Sequence, residues 1–457
     1  MKIIFVFIML TTAHMTFAAE SLTTKVSGQY SSIRALGMGN AFTAVADDYT
    51  LIFYNPAGFA KKKSNEIQVT LAGAGVSPKT LTFADDIKKA SSTVGTEQDK
   101  ANAVSAVIEQ YYGKSLGGKV QALEMFWIRK NWGVALVPLD LTIDMSMNRQ
   151  LGPAIDLNAK ADTILAYGYG TELNKFWSAG ASAKVTHRVA FEQSVAALEL
   201  ASDPTILNPK RAKEGNNIDF DIGALWTPNW FNKAEASTKD DKRTPQAETP
   251  SEENPAAKMA DQAAETPPLE LKPEPTADVK PEAAPEVKPE AKPTTKKKKA
   301  VVAKIEETPE VKEKFPLTFG IVMKNVLGGS FSKSALVNKD ATEVPKNIPR
   351  VIDVGVQYSA ATFGDLEIRT MLDGKNILHP NANLTNTLHA GVEFDYSPSG
   401  WFKSQLRAGM NQMYYTAGAT LLLGVINIDV ATYGEEVGTT STKIENRVYA
   451  FKLGMNF

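Results

Sequence analysis

Most of this chain alternates, one residue apolar and the next polar or small, in segments that recur to its last phenylalanine. Near the C-terminus Tyr449, Phe451, Leu453, Met455 and Phe457 fall on one face, and Ala450, Lys452, Gly454 and Asn456 on the other. Leu388, Ala390, Val392, Phe394 and Tyr396 alternate with His389, Gly391, Glu393 and Asp395. The same holds for Ile352, Val354, Val356 and Tyr358 against Asp353, Gly355 and Gln357, and for Ile218, Phe220, Ile222, Ala224 and Trp226 against Asp219, Asp221 and Gly223. A period of two marks strands whose faces meet different surroundings. A soluble sandwich alternates too, but with shorter strands and a less aromatic apolar face. Segments of about ten residues match a tilted transmembrane strand.

No apolar run is long enough for a transmembrane helix, which takes roughly 20 residues. In lipid, then, the chain must close into a barrel, the other structure that satisfies every backbone group there. The N-terminus carries Lys2, an apolar run from Ile3 to Leu10, and small residues ending at Ala18 and Ala19. That order reads as a cleavable signal peptide over residues 1–19. There is no cysteine, so an exported chain has no disulfide framework. With 50 basic and 51 acidic residues the net charge is −1, which gives no electrostatic case for nucleic acid.

Candidate strands lie near 66–76, 119–129, 132–144, 158–172, 176–190, 217–227, 316–327, 349–360, 364–373, 386–397, 401–410, 413–423, 425–433 and 446–457. The fold class is therefore all-β, a transmembrane antiparallel barrel of about 14 strands. An even count places both termini on the periplasmic side. Tight turns are expected at 129–132 and 397–401, and long connections at 77–118, 191–216, 328–348 and 434–445. Within 77–118, Ala101, Val104, Ile108, Tyr111 and Tyr112 recur at helical spacing and predict an amphipathic helix over 99–112. Trp132, Trp226, Trp401, Tyr414 and Tyr415 stand at segment ends, as interface girdles do.

Composition breaks between the barrel halves, 63–230 and 315–457. Residues 231–314 hold half of the chain's 24 prolines, the near-repeat 279–290 and a basic run, Lys296 to Lys299. Such a segment buries too little apolar surface to offset its ordering entropy and is read as disordered. Because it follows the sixth strand, it is expected on the periplasmic side. At about 3.1 Å per residue it spans more than about 100 Å, so 240–310 suits a tether to peptidoglycan or a periplasmic protein.

Between leader and first strand lies a glycine-rich stretch. Its pieces are Arg34, then Ala35 to Gly39 with Gly37 and Gly39, then Ala44 to Asp48 with Asp47 and Asp48, then Tyr54, Asn55, Pro56, Ala57 and Gly58. Gly37 and Gly39 allow close backbone approach, Pro56 fixes a turn, and Asn55 suits local backbone bonding that leaves no buried group orphaned. Asp47 and Asp48 suit turn closure in the same way. This stretch resembles the N-terminal plug of the FadL-type family of outer-membrane transporters for long-chain fatty acids and other hydrophobic compounds. It also resembles the related PorV-type barrels associated with secretion. The resemblance implies that residues 20–62 fold into the lumen as a hatch carrying Asn55, Pro56 and Ala57. It further implies an outer-membrane protein of a Gram-negative bacterium, passive uptake of a hydrophobic compound, and assembly machinery that engages Phe457. The PorV-like alternative is a scaffold that binds secreted or surface proteins and transports nothing. Arg34, or another basic group near the hatch, is expected to meet a fatty-acid carboxylate by charge-assisted bonding. The periplasmic insert and the helix-bearing first loop depart from the transport family's pattern, so no ligand-pocket residues carry over.

Nothing points to an enzyme or a cofactor. His187, His379 and His389 lie far apart, without metal-ligand spacing. No nucleophile sits in a glycine-flanked elbow. Asp353, Glu367, Arg369, Glu393, Asp395 and Arg407 are expected to face the lumen and pair with one another, and His389 to join a polar network there.

Overall fold

The computed structural model describes residues 30–148, 153–202, 211–228, 317–438 and 443–457. The leader 1–19, the first part of the hatch and the linker 231–314 lie outside the described residues. Fourteen long strands are described: β1 (Glu66–Val76), β2 (Leu116–Arg129), β3 (Trp132–Asn148), β4 (Ala154–Glu172), β5 (Trp177–Ala196), β6 (Lys213–Trp226) and β7 (Leu317–Lys324) form the first half. The second half is β8 (Val351–Phe363), β9 (Leu366–Ile377), β10 (Leu388–Ser399), β11 (Phe402–Asn411), β12 (Tyr414–Leu423), β13 (Ile426–Glu436) and β14 (Glu445–Asn456). Each pairs antiparallel with the next, and β1 pairs with β14, Gln68 opposite Asn456, so the sheet closes. β6 meets β7 directly, with Trp226 opposite Phe319, although the whole linker separates them in sequence. A two-residue strand, Ser332–Lys333, adds to β6 above β7. Closure leaves no unpaired edge, as lipid demands.

The alternation sorts the side chains as expected. Ile218, Phe220 and Ile222 are exposed on the outside, while Asp219 and Asp221 are fully buried within. Phe394, Tyr396, Tyr449 and Phe451 face outward; His389, Glu393 and Lys452 face inward. Five of the six inward-predicted charged residues are buried, and Glu367 is partly so, accepting from the Ser359 hydroxyl at 3.4 Å. Outside, Trp226 stacks between Trp177 at 5.5 Å and Phe319 at 5.3 Å, an aromatic patch across the β6–β7 join. Trp401 is 66% exposed and Tyr415 80% exposed. Tyr414 corrects the girdle expectation. Adjacent strand residues face opposite ways, so Tyr414 turns inward and donates to Glu436 Oε2 at 2.8 Å.

Turns 130–131, 173–176, 364–365, 400–401 and 424–425 share one rim with the start of β1, the end of β14 and the ends of β6 and β7 where the linker joins. Longer connections occupy the other rim. There β3, β4 and β5 run 17, 19 and 20 residues, longer than about 11 residues needed to span lipid. The sequence reading ended these strands early; their outer parts keep one apolar face, Met145, Met147, Ile155 and Val195, which packs on helices instead of lipid. Bulges cross β1 at Thr70 and Ala72 and β3 between Val137 and Asp140, where Pro138 has no N–H to donate.

The first long connection holds two helices rather than one: α1 (Pro78–Ser91) and α2 (Glu97–Gln110). The predicted helix is α2, capped by Thr96 and Asp99 bonding reciprocally. Ala101, Val104, Ile108 and Tyr111 face Phe83, Ile87 and Ala90 of α1 and Leu200 of a short third helix, α3 (Ala197–Ser202). Together they seal against Leu116, Ile155 and Val195 at the tops of β2, β4 and β5. The segment 325–350 folds down beside β6 because Glu214, fully buried, accepts from the amides of Leu336, Val337 and Asn338 and the hydroxyl of Ser334.

Bonds to a charged group contribute about 1.5–3 kcal/mol each. Glu214→Ala should therefore release this segment, and trypsin should cut at Lys339 and Lys346 much faster than in the parent protein. An unchanged digestion pattern would contradict the pinning role of Glu214.

Candidate functional site

Residues 30–62 fill the bore. They form two short helical turns, α4 (Ile33–Gly37) and α5 (Leu51–Tyr54), then a 3-10 turn (Pro56–Lys61). Met38, Phe42, Leu51, Ile52 and Phe59 are completely buried and make the segment a small core of its own. Tyr54 knots it: its hydroxyl accepts from the Ser32 amide at 3.1 Å and donates to Asn40 Oδ1 at 2.9 Å. Asn55 caps the 3-10 turn, its Oδ1 accepting from the Ala57 amide at 3.1 Å. Its amide group donates to the carbonyls of Thr43 at 3.0 Å and Ala224 of β6 at 3.2 Å. Asn55 thus ties hatch to hatch and hatch to wall, and Pro56 starts the turn where a missing N–H costs nothing.

The wall answers with glycine. At Gly133 and Gly168, paired across β3 and β4, a Cβ would strike the Phe59 ring. At Gly170 and Gly180 it would strike the Pro56 carbonyl, and at Gly223 the Asn55 amide. Gly320 takes the Thr43 carbonyl, Gly391 the Met38 carbonyl, and Gly418 the backbone of Gly37 at 3.0 Å. Gly39 adopts φ +71 while pressed on the carbonyls of Ala390 and Met410, a conformation and a closeness that only glycine permits together. Gly58 leaves no space beside the Ala46 carbonyl. This belt runs from β3 round to β12. On β14, β1 and β2 the atoms nearest each glycine belong to the wall itself.

A cluster of charge locks the hatch to β9, β10 and β11. The Arg34 guanidinium donates to both oxygens of Glu393, at 3.0 and 2.9 Å, and to Asp47 at 2.6 Å and Asp48 at 2.9 Å. Arg369 bridges the same two partners, Asp47 at 2.5 Å and Glu393. Arg407, itself fully buried, adds a third guanidinium to Glu393 at 3.0 Å. Three guanidiniums balance three carboxylates. Balance is what makes this burial tolerable, because an unpaired charge here would carry several kcal/mol of desolvation. Desolvation would lift the Asp47 carboxyl, whose side chain stays 39% exposed, but Arg34 and then Arg369 outweigh it and hold the group well below the usual carboxylate range. Asp48 closes a turn as expected, taking the Thr50 amide at 2.7 Å. Arg34 is not a free contact for a ligand carboxylate: its donors already meet three acidic groups of the protein.

On the long-connection side of the hatch lies a cavity of about 140 Å³. Its floor is Tyr30, Leu36, Phe53 and Tyr54; its walls include Lys119, Lys324, Lys375 and His389. Lys324 and Lys375 stand 5.2 and 4.7 Å from the centre of the Tyr54 ring. His389 contacts the Gly39 carbonyl through Nδ1 at 2.8 Å. The sequence reading singled out neither lysine, nor Asp373, whose Oδ2 accepts from the amides of Phe42 and Thr43 at 2.8 Å each. The pattern held them: Asp373 and Lys375 are alternate inward positions of β9.

The wall of β14, β1 and β2 differs again. Gln68, Thr70, Gln121, Glu124 and Lys452 are almost completely buried against the hatch side. Lys452 pairs with Glu124, which also accepts from the Tyr30 hydroxyl at 3.4 Å. Phe126 of β2 packs beside them on the Tyr49 ring at 4.8 Å; both amide atoms of Gln68 and Thr70 Oγ1 find no hydrogen-bond partner among the described residues, and the same is true of Ser182 Oγ, Asp353 Oδ2, Asp373 Oδ1 and Arg407 Nη1 elsewhere on the wall. A buried polar atom left so costs about 1–3 kcal/mol. No group of metal-ligating side chains occurs among the described residues.

No protein-family model and no curated protein matches the chain. Solved structures do. The CymD monoaromatic hydrocarbon channel aligns at 7% identity over 93% of this chain and 96% of that one, with a TM-score of 0.43. A Pseudomonas aeruginosa FadL homologue aligns at 9% identity over 94% and 98%, TM-score 0.41. The Pseudomonas putida toluene transporter TodX aligns at 7% identity over 94% and 98%, TM-score 0.39. In fold, the chain is similar to FadL-type channels. With TM-scores this low, the likeness assigns no role to any residue.

Removing one partner of a buried ion cluster costs about 3–5 kcal/mol. Glu393→Gln should therefore loosen the hatch and raise ion conductance in planar bilayers, while the barrel keeps its heat-modifiable migration. Because the Asp47 carboxyl is depressed when docked, its contribution is complete above about pH 4, the ordinary range for a free aspartate. It fades only as pH falls through the lower docked value. Conductance of the parent protein should stay flat from about pH 8 to about pH 5 and rise below about pH 4; a rise near neutrality would contradict this assignment.

Proposed function

We propose that this chain is an outer-membrane β-barrel that passes a hydrophobic or amphiphilic small molecule, such as a long-chain fatty acid, passively through a lumen closed by its N-terminal hatch. The observation that carries this reading is a cavity seated directly on a plug that the wall grips by removable contacts. Its lining is mostly polar, with Leu36, Phe53 and the Tyr30 and Tyr54 rings as the apolar part; this suits an amphiphile whose polar or anionic end meets Lys324, paired with Asp353 at 2.9 Å, and Lys375, which donates to the Asn40 carbonyl at 3.1 Å. Capture begins at the long-connection rim, where Leu81 and Leu198 are exposed on the rim helices. Burial of an alkyl chain supplies about 0.8 kcal/mol per CH₂; Asn55 and the ion cluster set how readily the hatch gives way. The chain acts as a channel, with both termini and the linker in the periplasm. Residues 240–310 reach peptidoglycan or a periplasmic protein, and Phe457 engages the assembly machinery.

The PorV-like reading, a scaffold for a secreted or surface protein, draws on the same exposed Leu81, Val94 and Leu198 at the rim. Uptake separates the two. Cells expressing the barrel should take up labelled oleate faster than cells lacking it. Lys324→Met with Lys375→Met should reduce oleate uptake more than toluene uptake, and Asn55→Ala should alter both. No uptake of either compound, with a secreted protein co-purifying through the rim, would replace the transport reading with the scaffold.

A further inference from the structure

The turn rim carries its positive charge on one arc. Of its tight turns, 364–365 holds Asp365, while 400–401 and 424–425 hold no basic residue. Turn 130–131 opens with Lys130 directly after Arg129, the last residue of β2, and 173–176 adds Lys175. Lys63 stands where the hatch leads into β1. Lys63, Arg129 and Lys130 are all exposed, and among the described residues none of the three forms an ion pair.

Alternation fixes the direction of Arg129. Phe126 and Ile128 are buried in the bore and Trp127 is exposed outside, so Arg129 takes the next outward position. Its guanidinium lies 6.0 Å from the centre of the Trp132 ring, and Nε donates to Asn65 Oδ1 at 3.3 Å. These contacts hold the group against the outer wall and leave its two terminal nitrogens to donate. Beside it Trp127 meets Trp132 edge-on at 5.1 Å, and Trp132 stacks toward Tyr167 at 6.5 Å. Together they make an aromatic shelf at the depth where rings meet headgroups. The acids of these strand ends turn the other way. Glu66 takes an inward position and pairs with Lys62, and Glu172 follows inward Gly170, which faces Pro56.

We propose that this shelf binds a phospholipid with an anionic headgroup. The Arg129 guanidinium takes the phosphate through two parallel N–H bonds. Lys130 and Lys63 add charge around it, and the upper part of an acyl chain lies on Trp127, Trp132 and Tyr167. Of the uptake reading this needs only the periplasmic placing of the turn rim, which makes the lipid one of the inner leaflet. The same hairpin holds the hatch, because the Asn131 amide donates to the Phe59 carbonyl at 3.1 Å. A bound lipid therefore steadies the turn against which the hatch ends.

Native mass spectrometry of the full-length protein in detergent tests the site. Supplied with dioleoyl phosphatidylglycerol, the parent protein should retain a first lipid more tightly than those that follow. Dioleoylglycerol, with the same chains and no phosphate, should be lost. Each cation at an anionic lipid surface strengthens binding about fivefold, so Arg129→Gln with Lys130→Gln should weaken retention at least about tenfold. Arg129→Lys, which keeps the charge and loses the fork, should weaken it less. Lys346→Gln, which removes an exposed cation from the opposite rim, should leave retention unchanged. Heat-modifiable migration should persist in every variant, since these side chains lie outside the hatch and the bore. Equal retention by the parent and the double variant would overturn the site, as would equal loss in Lys346→Gln or tight retention of dioleoylglycerol. Inorganic phosphate in large excess should not displace the lipid; displacement would make this a site for a free anion and overturn the lipid assignment. No step of the assay involves transport, so its failure leaves the uptake reading standing.

Discussion

A closed barrel in lipid turns its charged residues inward, and a plugged barrel must then bury them. Here that conflict is resolved at Glu393, which receives three guanidiniums, one from the hatch and two from the wall. Arg34 carries the hatch's share and spends its remaining donors on Asp47 and Asp48. Asp47 in turn reaches back to Arg369 on the wall. The cluster is neutral as a whole, so the low dielectric of the plugged bore strengthens it without leaving a stray charge. The docked position of the hatch follows from this pairing.

Shape does the complementary part. The hatch is too broad for a bore lined with side chains, and the wall yields space by dispensing with them. Wall glycines from β3 to β12 let Phe59, Pro56, Asn55, Thr43 and Met38 come within contact of strand backbone. Asn55 makes the motif intelligible in physical terms. Its side chain alone satisfies one amide and two carbonyls that the tight fit would otherwise strand. Grip is thus shared round the bore: glycines from β3 to β12, guanidinium pairs on β9 to β11, Ile33 and Leu36 packed on β13 and β14, and Tyr49 packed on Phe126 of β2.

Much of this was legible beforehand because lipid imposes a strict rule. Each residue on the wall must face either hydrocarbon or lumen, so alternation exposed all fourteen strands and the inward placing of Asp353, Arg369, Glu393 and His389. The rule stops where lipid stops. Above the bilayer the apolar face of β3 to β5 meets helices α1 to α3 instead of lipid, and the strand ends there were not read from the alternation. Helix α1 carries the same signal, Phe83, Ile87 and Ala90 at helical spacing, but the sequence reading took only the second helix of this connection. Tyr414 was misassigned because its residue type was weighed above the alternation that places it beside Glu436. The glycines of Asp221-bearing β6 and its neighbours read as generic lumen lining; that they trace the outline of another segment is a property of three dimensions. So is the saturation of Arg34, whose partner Glu393 lies across nearly the whole chain.

The central claim is that residues 30–62 are a docked, internally bonded plug rather than a strand of chain resting in the bore. Hydrogen–deuterium exchange of the full-length protein in detergent measures this directly. Amides of Leu36, Phe42, Thr43, Asn55 and Gly58, each bonded within the hatch or to its wall, should remain protected on the timescale of the barrel strands. Exchange of this segment as fast as that of exposed turns, with the strands still protected, would contradict it.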